Sequence, residues 1–149
     1  MDATKDPSSS SSSPTLFTIL FYALPLFMVL KSLYTYFFSS PKMVSPAALS
    51  KAQALIDSNK VFVASKSYCP YCKATKNLLN QVGVRTATII ELNETEDGAE
   101  IQDALEQITG QRTVPNIFIS GKHIGGNSDI QSLNSRDQLV PALQAAGAL

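Results

Sequence analysis

Two cysteines, Cys69 and Cys72, are separated by two residues in a stretch that follows an apolar segment and opens a helix-forming one. Two thiols at this spacing can pass between a dithiol and a disulfide, and a thiolate can attack another disulfide. The Cys-x-x-Cys pattern is weak by itself, because it also forms half of a zinc site. Its placement between a strand and a helix is what favours redox chemistry.

The residues around Cys69 favour its ionised form. Pro70 suits the first position of a helix, so Cys69 takes the capping position before it. Unpaired backbone N–H groups and the positive end of the helix dipole then face its sulfur, and Lys66 and Lys73 add positive charge. Cys72 lies about one turn later, on the same face and farther from solvent. We therefore predict Cys69 as the nucleophile and Cys72 as the resolving thiol.

The composition argues against several other classes of protein. The chain has 149 residues, with 12 Lys+Arg against 12 Asp+Glu, which gives no electrostatic reason to expect a nucleic acid partner. Its 2 Cys and 1 His are too few for the four ligands of a structural zinc site, so we expect no metal. Two cysteines are also too few for a disulfide-stapled secreted scaffold. An inert structural disulfide remains an alternative.

A second motif, Thr113-Val114-Pro115-Asn116, precedes an apolar segment. Proline cannot donate to a sheet ladder, so Pro115 belongs at the start of a strand. A cis Val114–Pro115 bond would leave the N–H and C=O of Val114 free to pair with an extended peptide. An ordinary turn is the alternative.

A third motif is Gly125-Gly126-Asn127-Ser128-Asp129. Glycines followed by capping residues at a helix start can form an anion site, in which the N–H groups of Ser128 and Asp129 would take a carboxylate. An ordinary capped turn is again the alternative. We interpret the nearby His123 as an exposed turn residue without a catalytic role.

The elements expected after Met43 place these motifs. The order α-β-α-β-α-β-β-α predicts one mixed sheet with helices on both faces. Residues 43–149 are enough to fold alone. Helices are expected over 47–58, 70–82 and 97–108 and after Gly126, and strands over 61–63, 86–92, 117–119 and 123–124.

Residues 1–42 have a different composition. A Ser-rich start, expected to be disordered, is followed by a hydrophobic segment over about 15–38 with one charge, Lys31. A helix over residues 16–38 would reach about 35 Å, enough to cross a bilayer. A membrane anchor is the first interpretation, with a secretory signal or a mitochondrial presequence as alternatives. The lysines that follow the segment favour a cytoplasmic catalytic domain, because positive charge is enriched on the cytoplasmic side of a membrane-spanning segment.

Taken together, the three motifs resemble those of a dithiol glutaredoxin over about residues 45–149. The matching stretches are Lys66-Ser67-Tyr68-Cys69-Pro70-Tyr71-Cys72, Thr113-Val114-Pro115 and Gly125-Gly126-Asn127-Ser128-Asp129. The resemblance implies a thioredoxin fold with a four-stranded mixed sheet, a monomer, and glutathione as reductant.

The resemblance also implies where glutathione would lie. Its sulfur would bond to Cys69, its cysteinyl backbone would pair with Val114 beside a cis Pro115, and its γ-glutamyl carboxylate would lie on Ser128 and Asp129. The remaining contacts implied are Lys66, Gln102 and Arg112 with the glycine carboxylate, and Tyr71 and Thr113 along the groove.

The function implied is that of a glutathione-dependent thiol–disulfide oxidoreductase acting on glutathionylated and disulfide-containing proteins. A thioredoxin-type enzyme reduced by a flavoprotein is one alternative, and an iron–sulfur cluster shared by two chains is another. Pro70 stiffens the site and disfavours the cluster. The protein substrates stay open.

Overall fold

The computed structural model describes residues 27–34 and 43–149, and the chain divides into two units, Met1–Lys42 and Met43–Leu149. In the first unit, residues 27–34 are helical and form the described part of α1. Within the described ranges, no helix is long and apolar enough to cross a bilayer. The predicted segment 15–38 lies mostly outside those ranges, so the anchor and the targeting alternatives stay predictions.

The second unit is a mixed sheet with helices on both faces, as predicted. Its order along the chain is α2 Pro46–Ser58, β1 Val61–Ser65, α3 Pro70–Gln81, β2 Ala87–Glu91, α4 Gly98–Thr109, β3 Asn116–Ile119, β4 Lys122–Gly125, α5 Asn127–Ser135 and α6 Leu139–Ala145.

The sheet has the strand order β2-β1-β3-β4. Strand β1 pairs in parallel with β2 and antiparallel with β3, so Val63 lies between Ile89 and Ile117. Strands β3 and β4 form a hairpin across Ser120 and Gly121, both with positive φ. The loops that leave β1 and β2 therefore meet at one edge of the sheet, and the segment that leads into β3 starts at that same edge.

Each face of β1 contributes to a separate core. Val61 and Val63 pack with residues of α3, α5 and α6, whereas Phe62 and Ala64 pack with residues of α2 and α4. Alternation along a strand sends successive side chains to opposite faces, which explains this division. The first core holds α3 and α5, the two helices that begin at the predicted site, against the same side of the sheet.

His123 differs from its predicted place. It is half-buried in β4 rather than exposed in a turn, and its ring lies 5.1 Å from that of Phe118, centroid to centroid. Its burial lowers the pKa of the imidazole, partly opposed by Asp129. The interpretation of an exposed turn residue was therefore wrong, because His123 lies within β4 and packs on Phe118 of the neighbouring strand.

Candidate functional site

Cys69 lies between the end of β1 and the start of α3. It is the N-cap of α3, with φ −83° and ψ 118°, and its sulfur accepts the N–H of Cys72 at 3.4 Å. Pro70 occupies the first turn, where its missing N–H costs no hydrogen bond. On its other side, the Cys69 thiol is 3.8 Å from the Val114 carbonyl oxygen. The sulfur thus faces both a helix N-terminus and the second motif.

The surroundings of Cys69 lower the pKa of its thiol. Partial burial raises this pKa, but hydrogen bonds from the Cys72 side chain and from the N–H groups of Cys72 and Tyr71 lower it, as does the charge of Lys76. The net direction is towards the thiolate, the reactive form. The predicted direction of the shift therefore agrees with the structure.

Lys76 was not among the predicted residues. It lies seven residues after Cys69 and four after Cys72, so it shares their face of the helix. Its ammonium is 2.7 Å from a carboxylate oxygen of Glu91 at the end of β2, with both side chains half-buried. Helical spacing was the signal that could have found Lys76, whereas the prediction depended on Lys66 and Lys73, which lie nearer to Cys69 along the chain.

Cys72 has an opposite environment. Its side chain is fully buried, and burial raises the pKa of its thiol. The N–H of Lys66 and the side chain of Ser65 lower this pKa, while Cys69 raises it, and the net shift is upward. Both cysteines are free thiols here. No group of three or more His, Cys, Asp and Glu in the described residues could hold a metal ion.

The loop before Cys69 is held by the neighbouring loop after β2. The N–H of Ser67 donates to Oδ1 of Asn93 at 2.9 Å, and Nδ2 of Asn93 donates to Oγ of Ser67 at 2.8 Å. Cys69 also donates its N–H to the Lys66 carbonyl at 3.0 Å. These bonds fix the approach to the N-cap, and no local pattern around Cys69 predicts them, because Asn93 is distant along the chain.

The second motif forms one wall of a groove beside Cys69. The Val114–Pro115 bond is cis. Nε2 of Gln111 donates to the carbonyls of Thr113 and Pro115 at 3.1 and 3.0 Å, which holds the segment from behind. A groove of about 480 Å³ brings the first, second and third motifs together, and its lining residues are Tyr71, Thr113, Val114, Pro115, Gly126, Asn127 and Ser128.

The opposite wall of the groove is the start of α5. Gly126 is its N-cap, and the N–H of Gly126 donates to Oδ2 of Asp129 at 2.7 Å. The N–H of Asp129 already donates a hydrogen bond to the Gly126 carbonyl oxygen at 3.2 Å. A Cβ at Gly125 would come within 2.4 Å of Oδ2 of Asp129, so this tight capping turn requires a glycine there. Ser128 lines the groove, and its first-turn N–H has no carbonyl partner within its own helix.

Arg112 already has acidic partners in the described structure. Its guanidinium donates to Asp103 at 2.7 Å and also to Glu106. These carboxylates, Asp103 first, raise the pKa of Arg112. Gln102 donates its side-chain amide to the Arg112 carbonyl at 2.7 Å. Neither residue lines the groove, nor does Lys66, so these three predicted contacts form a separate set from the lining residues.

Comparison with known proteins gives the family of this domain. The family model described as Glutaredoxin matches residues 61–124. A glutaredoxin of Ricinus communis is 52% identical over 102 residues, which cover 68% of this chain and 99% of that relative. The chain belongs to the glutaredoxin family. Glutaredoxin-1 of Saccharomyces cerevisiae is also 48% identical over 105 residues, covering 68% of this chain and 96% of that protein.

Solved structures agree with this membership. A structure described as a buckwheat glutaredoxin–glutathione complex has a TM-score of 0.67 and 50% identity, and the match covers 69% of this chain and 93% of that one. The predicted family, thioredoxin fold and oxidoreductase class are thereby confirmed. Because glutaredoxins are thiol oxidoreductases that use glutathione, the chemistry of this domain is thiol–disulfide exchange.

One further contact in this glutaredoxin joins the two helices of the site. The buried hydroxyl of Thr75 donates to Oδ1 of Asn127 at 3.1 Å. Thr75 lies one turn after Cys72, and Asn127 lies beside Ser128 at the start of α5. The bond therefore fixes the start of α5 relative to the helix that carries both thiols.

Proposed function

We propose that this glutaredoxin reduces glutathione mixed disulfides and protein disulfides, with Cys69 as the nucleophile and Cys72 as the resolving thiol. The observation that carries the proposal is the position of the Cys69 sulfur. It lies at a helix N-terminus that lowers its pKa, beside a groove lined by the second and third motifs. A thiolate at the edge of an extended groove suits attack on a disulfide held along that groove.

Glutathione is the proposed occupant of the groove. The buckwheat glutaredoxin–glutathione complex supports this, because that protein is 50% identical to the chain. Its cysteinyl backbone would pair with Val114, between Tyr71 and Thr113 on one side and Pro115 on the other. Its γ-glutamyl carboxylate would take the N–H of Ser128, next to the capping carboxylate of Asp129.

The glycine carboxylate would lie outside the described groove, towards positive charge. Lys66, Gln102 and Arg112 are the proposed contacts. Arg112 can contribute less than a free guanidinium, because Asp103 and Glu106 already accept from it. We therefore assign the larger part of this attraction to Lys66.

Removal of glutathione from a substrate protein needs only one thiol of the enzyme, that of Cys69. The Cys69 thiolate attacks the glutathione sulfur, a new Cys69–glutathione disulfide forms, and the substrate leaves as a thiolate that takes a proton. A second glutathione thiolate attacks that disulfide, which releases oxidised glutathione and restores Cys69. Overall, one glutathione from solution is consumed, the substrate is released as a thiol, and its glutathione leaves as half of the oxidised glutathione.

Reduction of a protein disulfide uses both thiols. After Cys69 has formed a mixed disulfide with the substrate, Cys72 attacks the Cys69 sulfur and releases the substrate thiol. The Cys69–Cys72 disulfide that results is reduced by two glutathiones. Cys72 can reach Cys69 because the two lie one helical turn apart, with the Cys72 N–H bonded to the Cys69 sulfur.

The test compares wild type with Cys72→Ser on two substrates, a glutathionylated protein and a protein disulfide, with glutathione as reductant. We expect Cys72→Ser to retain removal of glutathione and to lose reduction of the protein disulfide. Equal loss of both activities in a folded Cys72→Ser would contradict the roles assigned. Wild type without glutathione-dependent turnover on either substrate would refute the function as a whole.

A further inference from the structure

The hydroxyl of Ser65 is buried without a hydrogen-bond partner. Ser65 is the last residue of β1 and is 0% exposed, and its Oγ has no partner among the described residues. A buried hydroxyl normally finds a partner, because leaving one unpaired destabilises the folded state. Neither of the two proposed reactions, removal of glutathione and reduction of a protein disulfide, uses the Ser65 hydroxyl.

The fold places Ser65 on the face of β1 that packs against α3, the helix that carries the second cysteine. Val61 and Val63 face the core that contains α3, and alternation along the strand sends Ser65 to the same face. Cys72 is fully buried on the inner side of α3, in its first turn. The Ser65 side chain lowers the pKa of the Cys72 thiol, as does the N–H of Lys66.

We propose that Ser65 donates its hydroxyl hydrogen to the Cys72 sulfur when that sulfur is a thiolate, and thereby favours the steps in which Cys72 attacks or leaves. This inference rests on the proposed function, and it assigns a residue to the second thiol alone. It explains why the hydroxyl has no partner in the reduced protein: a neutral thiol is a weak acceptor, whereas a thiolate is a strong one.

The step has a simple balance. Cys72 loses its proton to solvent, and its thiolate attacks the Cys69 sulfur of the mixed disulfide with the substrate. The Cys69–Cys72 bond forms, the bond from Cys69 to the substrate breaks, and the substrate thiolate takes a proton. In the reverse direction, glutathione attacks Cys69 and Cys72 leaves as the thiolate that Ser65 stabilises. Ser65 keeps its own proton throughout.

Electrostatics gives Ser65 a reason to act at this place. Burial raises the pKa of Cys72 and makes its thiolate scarce, whereas Cys69 needs no such help because its pKa is already lowered. Ser65 and the Lys66 N–H are the two groups that oppose this rise. A donor beside the buried thiol therefore acts where the thiolate is hardest to form.

The first test measures the ionisation of Cys72 without any turnover. The chain has 2 Cys, so in Cys69→Ser the only thiol is Cys72, and its ¹³Cβ chemical shift can be followed against pH. Adding Ser65→Ala should raise the midpoint by about 0.7 pH, a roughly fivefold loss of thiolate. Ser65→Thr keeps the hydroxyl and should restore most of the shift. An unchanged midpoint in folded Ser65→Ala would overturn the proposal.

The second test separates the two reactions. Ser65→Ala should slow reduction of a protein disulfide about fivefold and change removal of glutathione from a protein by less than about twofold. In a Cys72→Ser background, Ser65→Ala should have no further effect. Equal slowing of both reactions would show a merely structural role and contradict the proposal.

Thr75→Val is the matched control. Thr75 is also buried near Cys72, but its hydroxyl is already bonded to Asn127. Its loss should leave the Cys72 midpoint in place, and a shift as large as that of Ser65→Ala would mean that any buried hydroxyl has this effect. Because the midpoint is measured without glutathione, failure of the proposed function and failure of this inference are distinguishable.

Discussion

Two helices begin at the groove, α3 and α5, and they use the same backbone feature differently. At the start of α3, the Cys69 sulfur accepts an N–H of its own helix. At the start of α5, the N-cap is Gly126, which has no side chain, and Asp129 satisfies the Gly126 N–H from inside the helix. The residue at the N-cap therefore decides which charge a helix N-terminus stabilises.

At α3, the stabilised charge belongs to the chain itself, because the N-cap is a thiol that can ionise. At α5, the chain's own Asp129 carboxylate accepts the Gly126 N–H, and the proposed ligand carboxylate would take the N–H of Ser128. A glycine at position 125 leaves the space that the Asp129 carboxylate needs to reach the Gly126 N–H. Substitutions at the two helix starts should therefore have different effects.

Cys69→Ser should remove the charge at α3 while keeping the cap. Serine is a good N-cap, so we expect the melting temperature to change by less than about 3 °C. Because its hydroxyl is not ionised near neutral pH, both disulfide reactions should fall at least about a thousandfold. Rates with both substrates and a thermal melt provide the check. Substantial turnover by the folded variant would show that another group starts the reaction.

Ser128→Pro should remove an N–H donor at α5 while keeping the helix, since proline is tolerated in a first turn. Loss of a hydrogen bond to a carboxylate should raise the KM for glutathione about tenfold and leave kcat little changed. Ser128→Ala is the matched control, because it keeps the N–H and removes only the hydroxyl. Equal KM values for the two variants would refute the assignment of the backbone donor.

Lys66→Met and Arg112→Met should weaken the binding of the glycine carboxylate of glutathione to different extents. Arg112 already forms ion pairs with two carboxylates, whereas Lys66 forms none within residues 27–34 and 43–149. We expect Lys66→Met to raise the KM for glutathione about fivefold and Arg112→Met by about twofold or less. Steady-state kinetics at low salt measures both. A larger effect from Arg112→Met would mean that glutathione displaces Asp103 or Glu106.

Lys76→Met should have the smallest effect, and this effect should be limited to the ionisation of Cys69 at the start of α3. The charge of Lys76 is one of the causes that lower the pKa of Cys69, after the hydrogen bonds from Cys72 and Tyr71. Its removal should raise the midpoint pH of Cys69 alkylation by about half a unit, so that less thiolate is present at pH 7. Alkylation rates across pH test this. A midpoint that falls would contradict the sign.

Lys73→Met offers a control for the same measurement. Lys73 is exposed on the neighbouring position of α3, next to Cys72 rather than one turn below it. Lys73 carries the same charge as Lys76, and its predicted effect on Cys69 depends only on its position in the sequence. A smaller rise than that of Lys76→Met would show that placement on the helix face, and not proximity along the chain, decides which lysine acts on Cys69.

The fold could be predicted from sequence because its signals are local. Ser45 before Pro46 marks the start of α2, and the apolar segment Val61-Phe62-Val63 marks the central strand. Boundaries moved by one or two residues, as for β1, which continues to Ser65. Those extra residues pair with β2, and such pairing is a tertiary effect that no local pattern shows.

The site was predictable only where residues act through their own helix or turn. The N-cap position of Cys69 and the proline after it follow from neighbours in sequence. The ion pair between Lys76 and Glu91, the bonds from Asn93 to Ser67 and the acidic partners of Arg112 join different elements. They depend on how the chain folds back, so residue types and spacing alone did not reveal them.

The bonds from Asn93 to the Ser67 loop have one more consequence, for how deuterium enters the protein. Amide hydrogens in exposed loops usually exchange with deuterated solvent quickly, because nothing has to open first. Ser67 is exposed, yet its N–H is held by Asn93 at 2.9 Å. This amide can exchange only when the loops after β1 and β2 separate. The rate of deuterium uptake at the Ser67 amide therefore reports how often the backbone that leads to Cys69 opens.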